Sequence, residues 1–252
     1  MESIRDRVLL VDIGNTNLKW RWLDPAPGPI QRAAHRGIGA TDLAERLWGG
    51  LTGPRRMVVA SVADPEWVAQ LCDWVREYWG ITVERIVSRR NMLGVTNAYP
   101  DPERLGVDRW LTLLAVHGEG LSPACIVDCG TAVTLDVIDA AGRHQGGLIL
   151  AGRHLMTEAL LQATHFPAEP GDPPSGLLGR DTGSAVRLAP LLAMAGMVEK
   201  VVRGIEAASG TELALVLTGN DAELLATRLG RPCSVRPDLV FSGLMRAAGE
   251  AA

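Results

Sequence analysis

The pattern Val-Asp-x-Gly-[Asn/Thr] occurs twice, at Val11–Asn15 and again at Val127–Thr131. Each copy ends an apolar run, VLLVDI from Val8 and ACIVDC from Ala124, and a second strand-like run follows at once. A supersecondary unit repeated near the start of each half predicts two similar halves facing each other across a cleft. No other feature restricts the possible folds as much.

The repeat also suggests chemistry. Gly14 and Gly130 have no Cβ, so the main chain there can approach a bulky anion closely. Backbone N–H groups of such turns form an anion-binding concavity. Asn15, Thr16 and Thr131 add neutral donors, and Lys19 can reach a terminal phosphate as a point charge. Asp12 and Asp128 would repel bare phosphate. They make sense beside it if a cation, Mg²⁺ or a monovalent ion, lies between. A single copy would be explained as well by a plain hairpin; two copies in matching contexts favour nucleotide phosphates.

The intervening pattern alternates strands with helices, which predicts an α/β fold. Strands are expected at Val8–Asp12, Leu18–Leu23 and Met57–Val62, then at Ala124–Asp128, Ala132–Ile138, Gln145–Leu150 and Leu213–Leu217. Helices are expected at Thr41–Trp48 with Thr41 as cap, and from Asp64-Pro65-Glu66, where the acid caps and proline takes the first position. Trp67, Leu71, Trp74, Val75 and Tyr78 recur on that helix as a core stripe. Further helices are expected at Arg104–Val116, Ala185–Ala208, Asp221–Leu229 and Asp238–Glu250. Phe166–Ser175, rich in proline and glycine, reads as a mobile loop or a boundary. Domains of residues 1–118 and 119–252 follow, each with one copy of the motif.

Composition narrows the function classes. The chain has 252 residues and a formal net charge of −4. Without a basic block, nucleic acid is not the expected partner. No stretch approaches the roughly 20 apolar residues of a membrane helix, and the N-terminus lacks a signal-peptide pattern. The expectation is a soluble cytoplasmic protein. Cys72, Cys125, Cys129 and Cys233 form no C-x-x-C pair, and the buried-looking ones read as small apolar filler. The five histidines form no zinc motif.

A third motif, NAYPDPERLGVDRW, runs from Asn97 to Trp110. Asp108 follows Gly106 near a helix start and can accept a proton from a substrate hydroxyl. The adjacent Arg109 can hold a carboxylate with two parallel hydrogen bonds. A solvated Asp-Arg dipeptide would be the plain reading of this pair alone.

DIGNTNLK, NAYPDPERLGVDRW, DCGTAVTLDVID, GGLILAG and GRDTGSAV, in this order, resemble the type III pantothenate kinases of the actin-like ATPase superfamily. The resemblance implies two ribonuclease-H-like domains flanking a nucleotide cleft, and transfer of phosphate from ATP to pantothenate, the first step of coenzyme A biosynthesis. It implies a homodimer that needs Mg²⁺ and a monovalent cation, K⁺ or NH₄⁺. Asp108 would be the general base. Asp12, Ile13, Gly14, Asn15, Thr16, Asn17, Leu18, Lys19 and Thr131 would hold ATP. Tyr99, Gly106, Val107, Asp108, Arg109 and Thr182 would contact pantothenate, Thr182 across the dimer interface. Asp128 would bind the monovalent cation. Ala151 replaces a usual proline, and Gly183 and Ala189 replace a polar residue and a glycine. Val216–Leu225 resembles the superfamily's adenosine loop and equally a strand–helix turn capped by Asn220 or Asp221. Two other readings are a kinase for another small molecule, such as a sugar, and a nucleotide-binding accessory factor for transcription without kinase activity.

Overall fold

The computed structural model describes residues 7–24, 26–166, 171 and 173–250. The chain divides into two compact units, one of Met1–Leu93, Tyr99–Ala115 and Asp238–Ala252, the other of Gly94–Ala98 and Val116–Pro237. In order, the elements are β1 (Val8–Ile13), β2 (Asn17–Asp24), β3 (Ala26–Pro27), β4 (Gln31–Ala34), α1 (Ala40–Trp48), β5 (Arg56–Ser61), α2 (Pro65–Trp79), β6 (Val83–Arg85), β7 (Asn91–Met92), β8 (Val95–Thr96) and, after a 3-10 turn at Pro102–Arg104, α3 (Val107–Gly118). They continue with β9 (Ala124–Cys129), β10 (Ala132–Ile138), β11 (His144–Ala151), α4 (Arg153–Ala163), α5 (Thr182–Ser209), β12 (Ala214–Thr218), α6 (Ala222–Ala226), β13 (Ser234–Val235) and α7 (Leu239–Glu250).

The first unit is built on a sheet ordered β3-β2-β1-β5-β6, with β4 also paired to β2. β1 runs antiparallel to β2 and parallel to β5. Leu9, Val11 and Ile13 of β1 pack with α1 and α2 residues such as Leu43, Trp48, Leu71 and Trp74. Leu10, on the opposite face of the strand, is also fully buried, and α7 lies against β1. A strand buried on both faces needs a near-continuous apolar run, which VLLV supplies.

The second unit repeats the plan. Its sheet is ordered β11-β10-β9-β12-β13. β9 runs antiparallel to β10 and parallel to β12, as β1 does with β2 and β5. Cys125, Val127 and Cys129 pack against Leu191, Met194, Val198 and Val202 of α5. Both cysteines are thus core filler. Burial raises the Cys125 thiol to about 12 and pushes Cys129 above its usual value as well, so neither is a nucleophile at neutral pH.

Several boundaries differ from the sequence expectation, each for a physical reason. Gly39, not Thr41, is the N-cap of α1, and it makes no side-chain cap bond. Asp64 caps α2 as expected, accepting from the Glu66 N–H at 3.1 Å. Tyr78 is 48% exposed and stacks on Trp74 from outside the core. The helix expected from Arg104 begins at Val107, because Pro102–Arg104 forms a separate 3-10 turn. α6 stops at Ala226, well short of Leu229. Helix α4 was not foreseen: Arg153 is its one buried residue, so no apolar stripe marks it. Part of the Phe166–Ser175 stretch, residues 167–170 and 172, lies outside the described residues.

Candidate active site

In the first unit the acid–glycine turn closes the β1–β2 hairpin. Asp12 pairs with Lys19 and Ile13 with Leu18, leaving Gly14–Asn17 as the turn. The Gly14 N–H donates to the Asn17 carbonyl at 3.0 Å. Asp12 is only 7% exposed, while Asn15 at the tip is open to solvent. Lys19, directly across from Asp12, places one cation at the base of the turn.

Tyr99–Trp110 of the third motif belong to the same unit. The Val62 N–H donates to the Ile13 carbonyl at 3.0 Å, and a Cβ built on Gly106 would lie 3.7 Å from Val62 Cγ1. Gly106–Asp108 therefore stands beside the ends of β1 and β5. That same Cβ would come within 2.6 Å of Asp108 Oδ1, so the glycine leaves the space the carboxylate occupies. Asp108 Oδ1 accepts from the Arg109 backbone N–H at 2.8 Å, which fixes one oxygen at the start of α3. Arg109 is buried, 5% exposed. Its Nη1 donates to the Tyr99 hydroxyl at 3.0 Å, and its guanidinium lies over the Tyr99 ring at 5.7 Å. An aromatic-backed guanidinium beside a half-buried carboxylate suits a substrate carrying one carboxylate and one alcohol.

In the second unit the turn is one residue tighter. Cys129 pairs with Val133 and Asp128 with Thr134, so Thr134 holds the place of Lys19. The lysine is thus unique to the first copy. Two segments, Gly152–Arg153 and Gly219–Asp221, surround this turn. The Gly152 N–H donates to Thr131 O at 2.9 Å, the Asp221 N–H donates to Cys129 O at 3.2 Å, and the Arg153 and Asp221 side chains pair at 3.2 Å. Gly219 has φ +90°, and a Cβ there would fall 2.5 Å from Asp128 Oδ1. This cradle beside a carboxylate fits a hard cation held by oxygen donors. Thr182, on a separate element, is exposed at the first position of α5, where Asp181 caps the helix by accepting from the Ser184 N–H at 2.8 Å. Sequence reasoning missed Arg153 as a partner, because its signal is a pairing across 68 residues. Asp221, named earlier as a possible cap, makes no side-chain cap bond and holds Arg153.

A duplicated sheet with an acid–glycine turn at the same strand end in each copy is the build of the actin-like ATPase and sugar-kinase class. Solved structures agree in fold. A Campylobacter jejuni protein assigned to the Baf family of transcriptional activators matches with TM-score 0.63 at 17% identity, covering 96% of this chain and 98% of that one. MreB 5 of Spiroplasma citri, bound to AMPPNP, matches with TM-score 0.54 at 11% identity, covering 95% of each chain. Within that class the chain belongs to the type III pantothenate kinase family, whose model matches residues 8–204. It is 37% identical to the type III pantothenate kinase of Nitrosococcus oceani, over 96% of this chain and 93% of the relative. It is 36% identical to that of Halorhodospira halophila, over 94% and 96%.

Proposed function

We propose that the chain transfers the γ-phosphoryl group of ATP to the primary alcohol of pantothenate, opening coenzyme A biosynthesis. Family membership supports the reaction. The Asp108–Arg109–Tyr99 cluster carries the assignment of roles, because pantothenate has one carboxylate and one primary hydroxyl. Arg109, backed by Tyr99, holds the carboxylate, with Gly106 and Val107 beside it and Thr182 reaching the substrate across the dimer interface. Asp108 takes the hydroxyl proton as oxygen attacks phosphorus; the bond to the ADP oxygen breaks and ADP leaves with its electron pair. Phosphoryl transfer depends mainly on positioning and charge neutralisation, so the base contributes about 10²–10⁴-fold.

Residues Asp12–Lys19 and Thr131 serve the ATP phosphates. Asp128 would hold a monovalent cation, K⁺ or NH₄⁺, and Asp12 would serve Mg²⁺ delivered with ATP; bound there, such cations would supply neutralisation of the charge between carboxylate and phosphate. A homodimer is supported by apolar surface on β11 and α4: Leu148, Ile149, Leu155 and Leu160 are 40–65% exposed.

The test is ATP-dependent phosphorylation of pantothenate, run with and without K⁺, against hexoses and N-acetylhexosamines. Turnover of pantothenate that depends on K⁺ is the expected outcome. Preference for a neutral sugar would remove Arg109 from its role, because a sugar offers it no carboxylate.

A further inference from the structure

His35 follows β4 immediately and is buried, 7% exposed. β4 runs along β2 as far as the pair Asn17–Ala34, so the next residue reaches the β1–β2 turn. His35 makes two hydrogen bonds there. Its Nε2 lies 2.7 Å from the Gly14 carbonyl, and its backbone N–H donates to the Thr16 carbonyl at 3.1 Å. A carbonyl can only accept, so Nε2 carries the proton. The imidazole is itself supported by the Trp67 ring, at 4.8 Å between centroids. Trp67 Nε1 donates to the Ile38 carbonyl at 2.9 Å, and the Ile38 N–H donates back to the His35 carbonyl at 3.0 Å. A continuous brace therefore runs from α2 to the turn.

The brace has a directional consequence. In a planar trans peptide the C=O and the following N–H point opposite ways. With the Gly14 carbonyl held on His35, the Asn15 N–H points away from His35. A backbone N–H aimed by its own peptide plane is the donor that an anion-binding turn requires.

We infer that His35 is a positioning residue for the nucleotide: it fixes the Gly14–Asn15 peptide so that the Asn15 N–H meets an ATP phosphate. This rests on reading Gly14–Thr16 as a phosphate turn. Glutamine can place its Nε2 where imidazole places its own, asparagine is one bond too short, and leucine has no donor.

The experiment measures AMPPNP affinity by calorimetry, and both KM values, for wild type, His35→Gln, His35→Asn and His35→Leu. Asparagine and leucine are expected to weaken AMPPNP and raise the ATP KM about tenfold, in keeping with a lost bond to a buried acceptor. The pantothenate KM should stay within about twofold, and glutamine should recover affinity to within about threefold. Wild-type affinity in the asparagine or leucine variant would overturn the inference. So would a glutamine variant as weak as asparagine, or both KM values rising together with a falling melting temperature. AMPPNP binding reads this inference, whereas transfer to pantothenate reads the acceptor assignment, so the two can fail separately.

Discussion

Two residues separated by one position carry the sharpest test of the chemistry. Asp108→Asn keeps the volume and the hydrogen bond from the Arg109 N–H but cannot take a proton. Turnover should fall about 10²–10⁴-fold, with AMPPNP binding and melting temperature close to wild type; steady-state kinetics and calorimetry check both. Gly106→Ala asks a subtler question. The new methyl would stand 2.6 Å from Asp108 Oδ1, so the carboxylate must turn aside. Misplacement of this order lowers kcat about 10- to 100-fold, with nucleotide affinity unchanged. A Gly106→Ala enzyme with full kcat would show that the Asp108 position tolerates displacement and is not the base. The pair was legible in sequence as Gly-Val-Asp-Arg. The Tyr99 contact was not, because it joins a loop residue to a helix through space.

At the scale of elements, α7 meets α3 with almost no space between. A Cβ on Gly243 would fall 2.0 Å from the Leu111 carbonyl. Gly243→Ala must push α7 outward, at a cost of about 1–3 kcal/mol, and the melting temperature should drop by several degrees. Gly204, inside α5, meets nothing within 4 Å. Gly204→Ala should instead stabilise by up to about 1 kcal/mol through helix propensity. Thermal melts of the two variants side by side separate close packing from propensity. The amphipathic helices α1 and α2 and the apolar strands β1 and β9 were readable because their patterns repeat at element length. The short strands β3, β4 and β6 hold at most four residues each. Such segments form by pairing with a neighbour already in place and leave no pattern of their own.

The whole molecule responds to acid through paired carboxylates. Glu206 is held below its usual range by hydrogen bonds from Arg231, at 3.0 and 2.7 Å, and from the Leu213 N–H. Glu84 is held below its range by the two hydrogen bonds from Arg56. A depressed folded value means stability that is present above the unfolded value and lost as pH falls through the folded one. Melting temperature should therefore be flat between about pH 5 and pH 7 and decline below about pH 4.5. Glu206→Gln should start lower at pH 7 and decline less steeply, and a melting series from pH 7 to pH 3 checks it. These pairs are partly exposed, so each contributes modestly. A steeper decline in the variant would show that Glu206 does not supply this acid sensitivity.

The amino-acid sequence alone determined the duplication, because a strand buried on both faces and halted by acid and glycine writes itself into adjacent residues. It also determined the family, since five short motifs in order are enough to recognise. Only the folded chain decided which side chains support those motifs. His35 on the Gly14 carbonyl, and Arg153 with Asp221 around the second turn, come together through pairings between distant segments. Hydrogen bonds of that kind depend on where the backbone has been carried, and no local periodicity encodes them.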